Sequence, residues 1–178
     1  MTYARSRKKF YSERELYDCA IGALARRMRS VAELKRLLRS RVEADTEYGQ
    51  TLVELIIRRL KDNGYLNDSQ YAATFSALRR DNQKFGKRRV ITDLRAKGMH
   101  ADIIGKAVDA AFEGVGEEKQ ARDFLRKKRL SKPNNQKEAA RVFRQLARAG
   151  FGTRTIFAIL KKWDVEDDLL SLLEDESD

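Results

Sequence analysis

Proton transfer near neutral pH, thiol attack and transition-metal ligation draw on histidine and cysteine, and this sequence offers one of each, His100 and Cys19. His100 stands at the start of a helical pattern, and no cysteine or carboxylate group lies beside it at the spacing of a metal site or a nucleophile–base pair. It reads as a structural or solvent-facing residue. Cys19 reads as a small core residue on the apolar face of its helix, and a single cysteine forms no disulfide framework. "GVGEEK" at 114–119 and "FGKRR" at 85–89 lack the spacing and the following Ser or Thr of a phosphate-cradling loop. No enzyme, metal site or cofactor is expected.

The remaining chemistry is that of cations. Net charge is +11, and residues 163–178, "WDVEDDLLSLLEDESD", hold eight acids and no Lys or Arg. Positions 1–162 therefore hold all 38 basic and the other 19 of the 27 acidic residues, an excess of +19. Such a body is attracted to a polyanion or an acidic protein face, and its acidic tail could fold back and compete. The cations gather beside helix ends. Arg26, Arg27 and Arg29 lie in "ARRMRS", with Lys35, Arg36 and Arg39 on the next helix. Arg79, Arg80, Lys84, Lys87, Arg88 and Arg89 surround the break in "LRRDNQKFGKRR", where side chains can fan out from two helix ends toward one partner. "RKKR" at 126–129 is a further cluster. Few aromatics are free to stack on bases, so sequence-specific reading of a single strand is poorly supported.

Helices must position these groups. One proline and a wealth of Leu, Ala, Arg, Lys and Glu favour helix almost throughout. No apolar run approaches the roughly 20 residues that span a bilayer, and "MTYARSRKKF" lacks the apolar stretch of a secretion signal, so a cytosolic protein is expected.

Three groups of three helices follow from the periodicity. In the first, Ser12/Glu15 and Ser30/Glu33 can form capping boxes. Its stripes are Leu16, Cys19, Ala20, Ala23, Leu24 and Met28, then Val31, Leu34, Leu37 and Leu38, then Leu52, Leu55, Ile56 and Leu60 before Gly64. The second begins near Asn67 or Asp68 with Tyr71, Phe75 and Leu78, continues with Val90, Ile91 and Leu94, and ends with Ile103, Ile104, Ala107, Val108 and Phe112. The third carries Ala121, Phe124 and Leu125, then, after "SKPNNQ", Val142, Phe143 and Leu146, then Ile156, Phe157, Leu160 and Trp163. The fold class is all-α, three tandem three-helix repeats at 12–66, 67–114 and 115–163, with a basic leader at 1–11 and an acidic tail at 164–178.

A local signature recurs. "LRAKGMHADIIGKAV" from Leu94 and "LARAGFGTRTIFAIL" from Leu146 align at a spacing of 52, and "LKDNGY" from Leu60 repeats the leucine, glycine and bulky residue. Each glycine is expected just past a helix end in the left-handed conformation, with the bulky residue packed back onto the helix.

The ordered set "LARRMRSVAELKRLL", "GYLNDSQYAATF", "GKRRVITDLRAKGM" and "LARAGF" followed by Ile156 resembles the RecX family, regulators of the bacterial recombinase RecA. The match runs from about residue 12 to Trp163 in the family's order; Asn67 and Gln70, where acidic and basic residues are more usual, and Val90, Asp93 and Met99 are chemically mild departures. The resemblance implies an elongated, curved monomer of tandem three-helix repeats. It implies binding in the groove of the RecA filament on single-stranded DNA, with restraint of ATP hydrolysis, strand exchange and promotion of repressor self-cleavage. Arg26, Arg27, Arg29, Lys35, Arg36, Arg79, Arg80, Lys87, Arg88 and Arg89 are the expected contacts with RecA or DNA. Charge alone equally allows a helical protein that binds single-stranded or duplex DNA without RecA, or a scaffold with solvated basic faces.

Overall fold

The structure is a computed structural model that describes residues 11–43 and 46–163. The described residues form nine α-helices and no strand: α1 (Glu13–Arg26), α2 (Val31–Arg39), α3 (Glu47–Asp62), α4 (Asp68–Gln83), α5 (Lys87–Ala96), α6 (Ala101–Phe112), α7 (Glu117–Lys127), α8 (Gln136–Arg148) and α9 (Thr153–Lys161). No helix among them is long and apolar enough to cross a membrane. Residues 1–10 of the leader and the acidic tail at 164–178 lie outside the described residues.

The chain divides into two compact units, Met1–Tyr71 with Lys97–Met99, and Ala72–Ala96 with His100–Asp178. In the first, both expected capping boxes form: Ser12 accepts from the Glu15 N–H and Ser30 from the Glu33 N–H, while each glutamate reaches back to its cap. The core joins Leu16 and Ala20 of α1, Leu34 and Leu38 of α2, and Leu52, Val53, Ile56, Ile57 and Leu60 of α3. Cys19 is partly buried. Three expected core positions are outside: Met28 lies beyond the end of α1 and is 49% exposed, Leu55 on α3 is 48% exposed, and Leu78 on α4 is 51% exposed. At about 100° per residue, the buried arc of α3 runs from Leu52 through Ile56 and Leu60 to Val53 and Ile57, which turns Leu55 to the opposite side.

Residues 97–99 are built into this unit at the start of α2. Ser30, with no exposed surface, donates its hydroxyl to the Lys97 carbonyl at 2.8 Å. A Cβ on Gly98 would lie 2.6 Å from that of Ala32. The Val31 N–H donates to Asp68 Oδ1 at 2.8 Å, so one carboxylate at the start of α4 also caps α2.

In the second unit α5 packs on α6, and α7 and α8 pack on α9. Phe124 and Leu125, Val142, Phe143 and Leu146, and Ile156, Ile159 and Leu160 form one core, with Phe85 and Trp163 half-buried against it. The alignment at a spacing of 52 is visible in burial: Leu94 and Leu146 are both at 0%, Met99 and Phe151 at 7% and 2%, Ile104 and Ile156 at 3% and 1%, Val108 and Leu160 both at 0%. Gly64, Gly98 and Gly150 take φ of 73°, 74° and 90°, the left-handed conformation expected of the signature. After Gly64 and Gly150 the chain closes back on its helix, the Tyr65 N–H to the Leu60 carbonyl at 2.9 Å and the Phe151 N–H to the Leu146 carbonyl at 3.2 Å. Tyr65 corrects one detail, since it is 59% exposed and Leu66, at 4%, is the residue that packs inward. Leu125 and Leu130 close a further helix in the same way, with Arg129 at φ 54° in the glycine's place.

Candidate basic interface

The ten expected contact residues divide between the units, and the structure gives them different work. In the first unit Arg26 closes α1 and Arg36 lies in the last turn of α2, where a cation favours the carbonyl end of the helix. Neither forms an ion pair among the described residues. Arg26 and Arg29 line one open recess together with Arg41 and Tyr11. Arg29 is held there by its Nε donating to the Ala23 carbonyl at 3.3 Å, and Arg41 by its guanidinium donating to the Tyr11 hydroxyl at 3.1 Å. Arg41 was not expected at this site, because it lies past the end of α2; its only signal is the run Arg36, Arg39, Arg41.

Lys35 is drawn sideways to Glu54 of α3 at 2.7 Å, with Arg39 3.9 Å from the same carboxylate. Arg27 lies 3.8 Å from Glu33, whose other partner is Lys97 at 2.9 Å. Burial pushes the Glu33 carboxyl up. The hydrogen bonds from Lys97 and Ser30 and the charges of Lys97 and Arg27 outweigh it and hold Glu33 below the ordinary carboxylate range. Burial likewise disfavours the charged Lys97 ammonium, and its bonds to Glu33 and Tyr71 more than compensate, so its pKa is raised.

In the second unit the cluster around residues 79–89 is largely a clasp. The Arg79 guanidinium lies over the Phe75 ring at 4.8 Å and the Phe85 ring at 5.6 Å, and its Nε is 3.5 Å from Asp93. Its remaining edge donates to Gln83. Phe75 is accordingly half-buried under Arg79 and not the core residue its spacing implied. Arg80 pairs with Asp81 at 2.7 Å and donates to the Ala111 carbonyl. Gln120, 7% exposed, donates to the Arg80 carbonyl at 2.7 Å. Arg89 donates to Asp93 at 2.9 Å and to the Arg148 carbonyl at 3.2 Å, and lies 5.4 Å from the Phe85 centroid. Beneath these side chains the Gly86 N–H donates to the Ala149 carbonyl at 2.8 Å, and a Cβ on Gly150 would overlap the Arg89 backbone nitrogen. The expected fan of six cations is thus corrected: Arg79 and Arg80 turn inward, and Arg89, 43% exposed, is tied down along the surface, because aromatic faces, carbonyls and Asp93 compete for guanidiniums whose planar forks suit them.

Lys87 and Arg88 remain on the surface. Lys87 pairs with Asp109, both exposed, and Arg88 has no anionic partner among the described residues. The first turn of α5 holds Lys87, Arg88 and Arg89 and no acid. Cations at the amino end of a helix oppose its dipole by about 0.3–1 kcal/mol each, so α5 carries an electrostatic cost that an arriving anion would relieve. His100 is the exposed N-cap of α6 and makes no side-chain capping bond. Among the described residues no group of three His, Cys, Asp or Glu is placed to hold a metal ion.

Fold and site define an all-helical protein in which Arg26, Arg36 and Arg88, candidates without an ion pair among the described residues, sit at helix ends. No family model matches the chain. Its sequence is 34% identical to the regulatory protein RecX of Myxococcus xanthus, over 83% of this chain and 82% of that one. It is 32% identical to the RecX of Leptothrix cholodnii, over 84% and 89% of the two chains. The crystal structure of RecX from Lactobacillus salivarius superposes with a TM-score of 0.64 at 20% identity, covering 85% of this chain and 96% of that one, and so has the same fold. The chain belongs to the RecX family of regulatory proteins.

Proposed function

We propose that the protein binds the RecA filament on single-stranded DNA, in its groove, and inhibits RecA's ATPase, strand exchange and coprotease activity, restraining recombination and the SOS response in the bacterial cytoplasm. The observation that carries this reading is family membership over 83% of the chain. The chain acts as a monomer of three three-helix repeats, residues 12–66, 67–114 and 115–163. Linked weak contacts along it would add through effective concentration, and a +19 body would be drawn to an anionic filament at a rate that falls with salt. The filament shifts only by the difference in affinity for its two states.

Within the ten candidate residues, Arg26, Arg36, Lys87 and Arg88 are the outward contacts, and Arg79, Arg80 and Arg89 hold the surface that presents the last two. Replacing Lys87 and Arg88 together by alanine, with Arg89 left in place, is the test. Helical content should be unchanged, filament binding weaker and its salt dependence flatter; unchanged binding and slope would remove this surface from the interface. The charge excess also supports a second reading, non-specific DNA binding without RecA, which predicts a steep salt slope on DNA alone.

A further inference from the structure

The mouth of the basic surface in the second unit is apolar. Ile91 of α5, Phe112 of α6, Val115 in the loop after it and Phe151 line a recess of about 400 Å³, and Lys87 and Arg88 stand on its rim. Ile91, Phe112 and Val115 are half-buried, so the unit leaves apolar surface open where an arriving side chain could cover it. A volume of this size lies within the roughly 300–1,000 Å³ of concave binding sites. Glu117 also lines the recess, but its carboxylate is taken up by the Gly152 N–H at 2.9 Å and the Thr155 hydroxyl. On the rim Lys87 is already paired with Asp109. Arg88 has no anionic partner among the described residues, and the amino end of α5 adds its dipole.

We propose that this recess is the socket for one bulky apolar side chain carried on an acidic protein segment, the apolar group entering between Ile91 and Val115 and its flanking carboxylates meeting Lys87 and Arg88. The inference rests on the RecA-filament reading and deepens it: here the protein touches the recombinase subunit and not the DNA. Charge complementarity calls for an anion at the rim, and the interior decides which kind. Bases need an open aromatic face, whereas Phe151 is 2% exposed and packs edge-on with Phe124 at 5.9 Å, and Phe112 is half-buried. Apolar walls with a charged rim match the anchor pockets at the centre of protein interfaces.

The test uses the full chain. Because Cys19 is the only cysteine, Val115→Cys in a Cys19→Ser background provides one thiol at the recess mouth for a photo-crosslinker. Illuminated on RecA filaments, it should join to the RecA polypeptide. In parallel, Val115→Trp, which fills the recess from a loop position, should raise the concentration needed to inhibit RecA's ATPase about tenfold, as expected for loss of an anchor residue. Its affinity for single-stranded DNA alone and its thermal midpoint should be unchanged. Crosslinks to DNA or to residues 164–178 of the same chain, or full inhibition by Val115→Trp, would overturn the socket and leave the filament reading standing. Failure of the unmodified protein to inhibit RecA would overturn both.

Discussion

Gly64 and Gly150 share a left-handed φ but differ in what surrounds them, and that difference separates two reasons for a glycine. A Cβ at Gly64 meets nothing within 4 Å, whereas one at Gly150 meets the Arg89 backbone. Gly64→Ala should lower unfolding stability by about 1–2 kcal/mol, the conformational cost alone. Gly150→Ala should cost clearly more, and equal losses in urea denaturation would show that the Gly150–Arg89 approach relaxes freely. Arg129 is the reverse case. It holds φ 54° without being glycine, so Arg129→Gly should stabilise the protein by about 0.5–1 kcal/mol. The Glu33–Lys97 pair predicts a pH dependence. The Glu33 pKa is lower folded than unfolded, so its stabilisation is present above the unfolded value of 4.5 and fades as pH falls through the depressed folded one. Glu33→Gln should remove that portion of the acid limb, leaving a stability profile flatter below pH 4.5 than that of the unmodified protein.

At the scale of elements, the helices and their ends were legible because their signals are local. Ser12/Glu15 and Ser30/Glu33 announce caps, and leucine followed by glycine four residues on announces an end. Core membership was legible where a stripe is repeated, as in Leu94 and Leu146, and failed where several rows compete, as at Leu55 on α3. The helix end at Arg129 was illegible because arginine stands where the pattern places glycine. The candidate site was half legible. The sequence shows that Arg79, Arg80 and Arg89 are cationic and close to a break; that they are tied down depends on Phe75, Phe85, Asp93, Ala111 and Arg148, which only the folded chain assembles around them. This yields a prediction about elements. Arg79→Ala removes two ring contacts and an ion pair and should destabilise the protein by about 1–3 kcal/mol, while Arg88→Ala should leave the thermal midpoint within error. Equal midpoints for the two variants would contradict the clasp.

For the whole molecule, the family assignment and the placement of charge combine into one account: a basic helical regulator whose work is binding. Its proposed contact cations lie at helix ends in both units, Arg26 and Arg36 in one, Lys87 and Arg88 in the other. On the proposed reading each surface alone would be weak, and their linkage in one chain would add the two through effective concentration. The most direct measurement is RecA's ATP hydrolysis on single-stranded DNA, titrated with this protein at concentrations well below RecA's, beside a DNA-coating protein of similar charge. The account predicts strong inhibition at substoichiometric amounts that the control does not reproduce. Inhibition that sets in only when enough protein is present to cover the DNA would contradict it and reduce the protein to a competitor for phosphates.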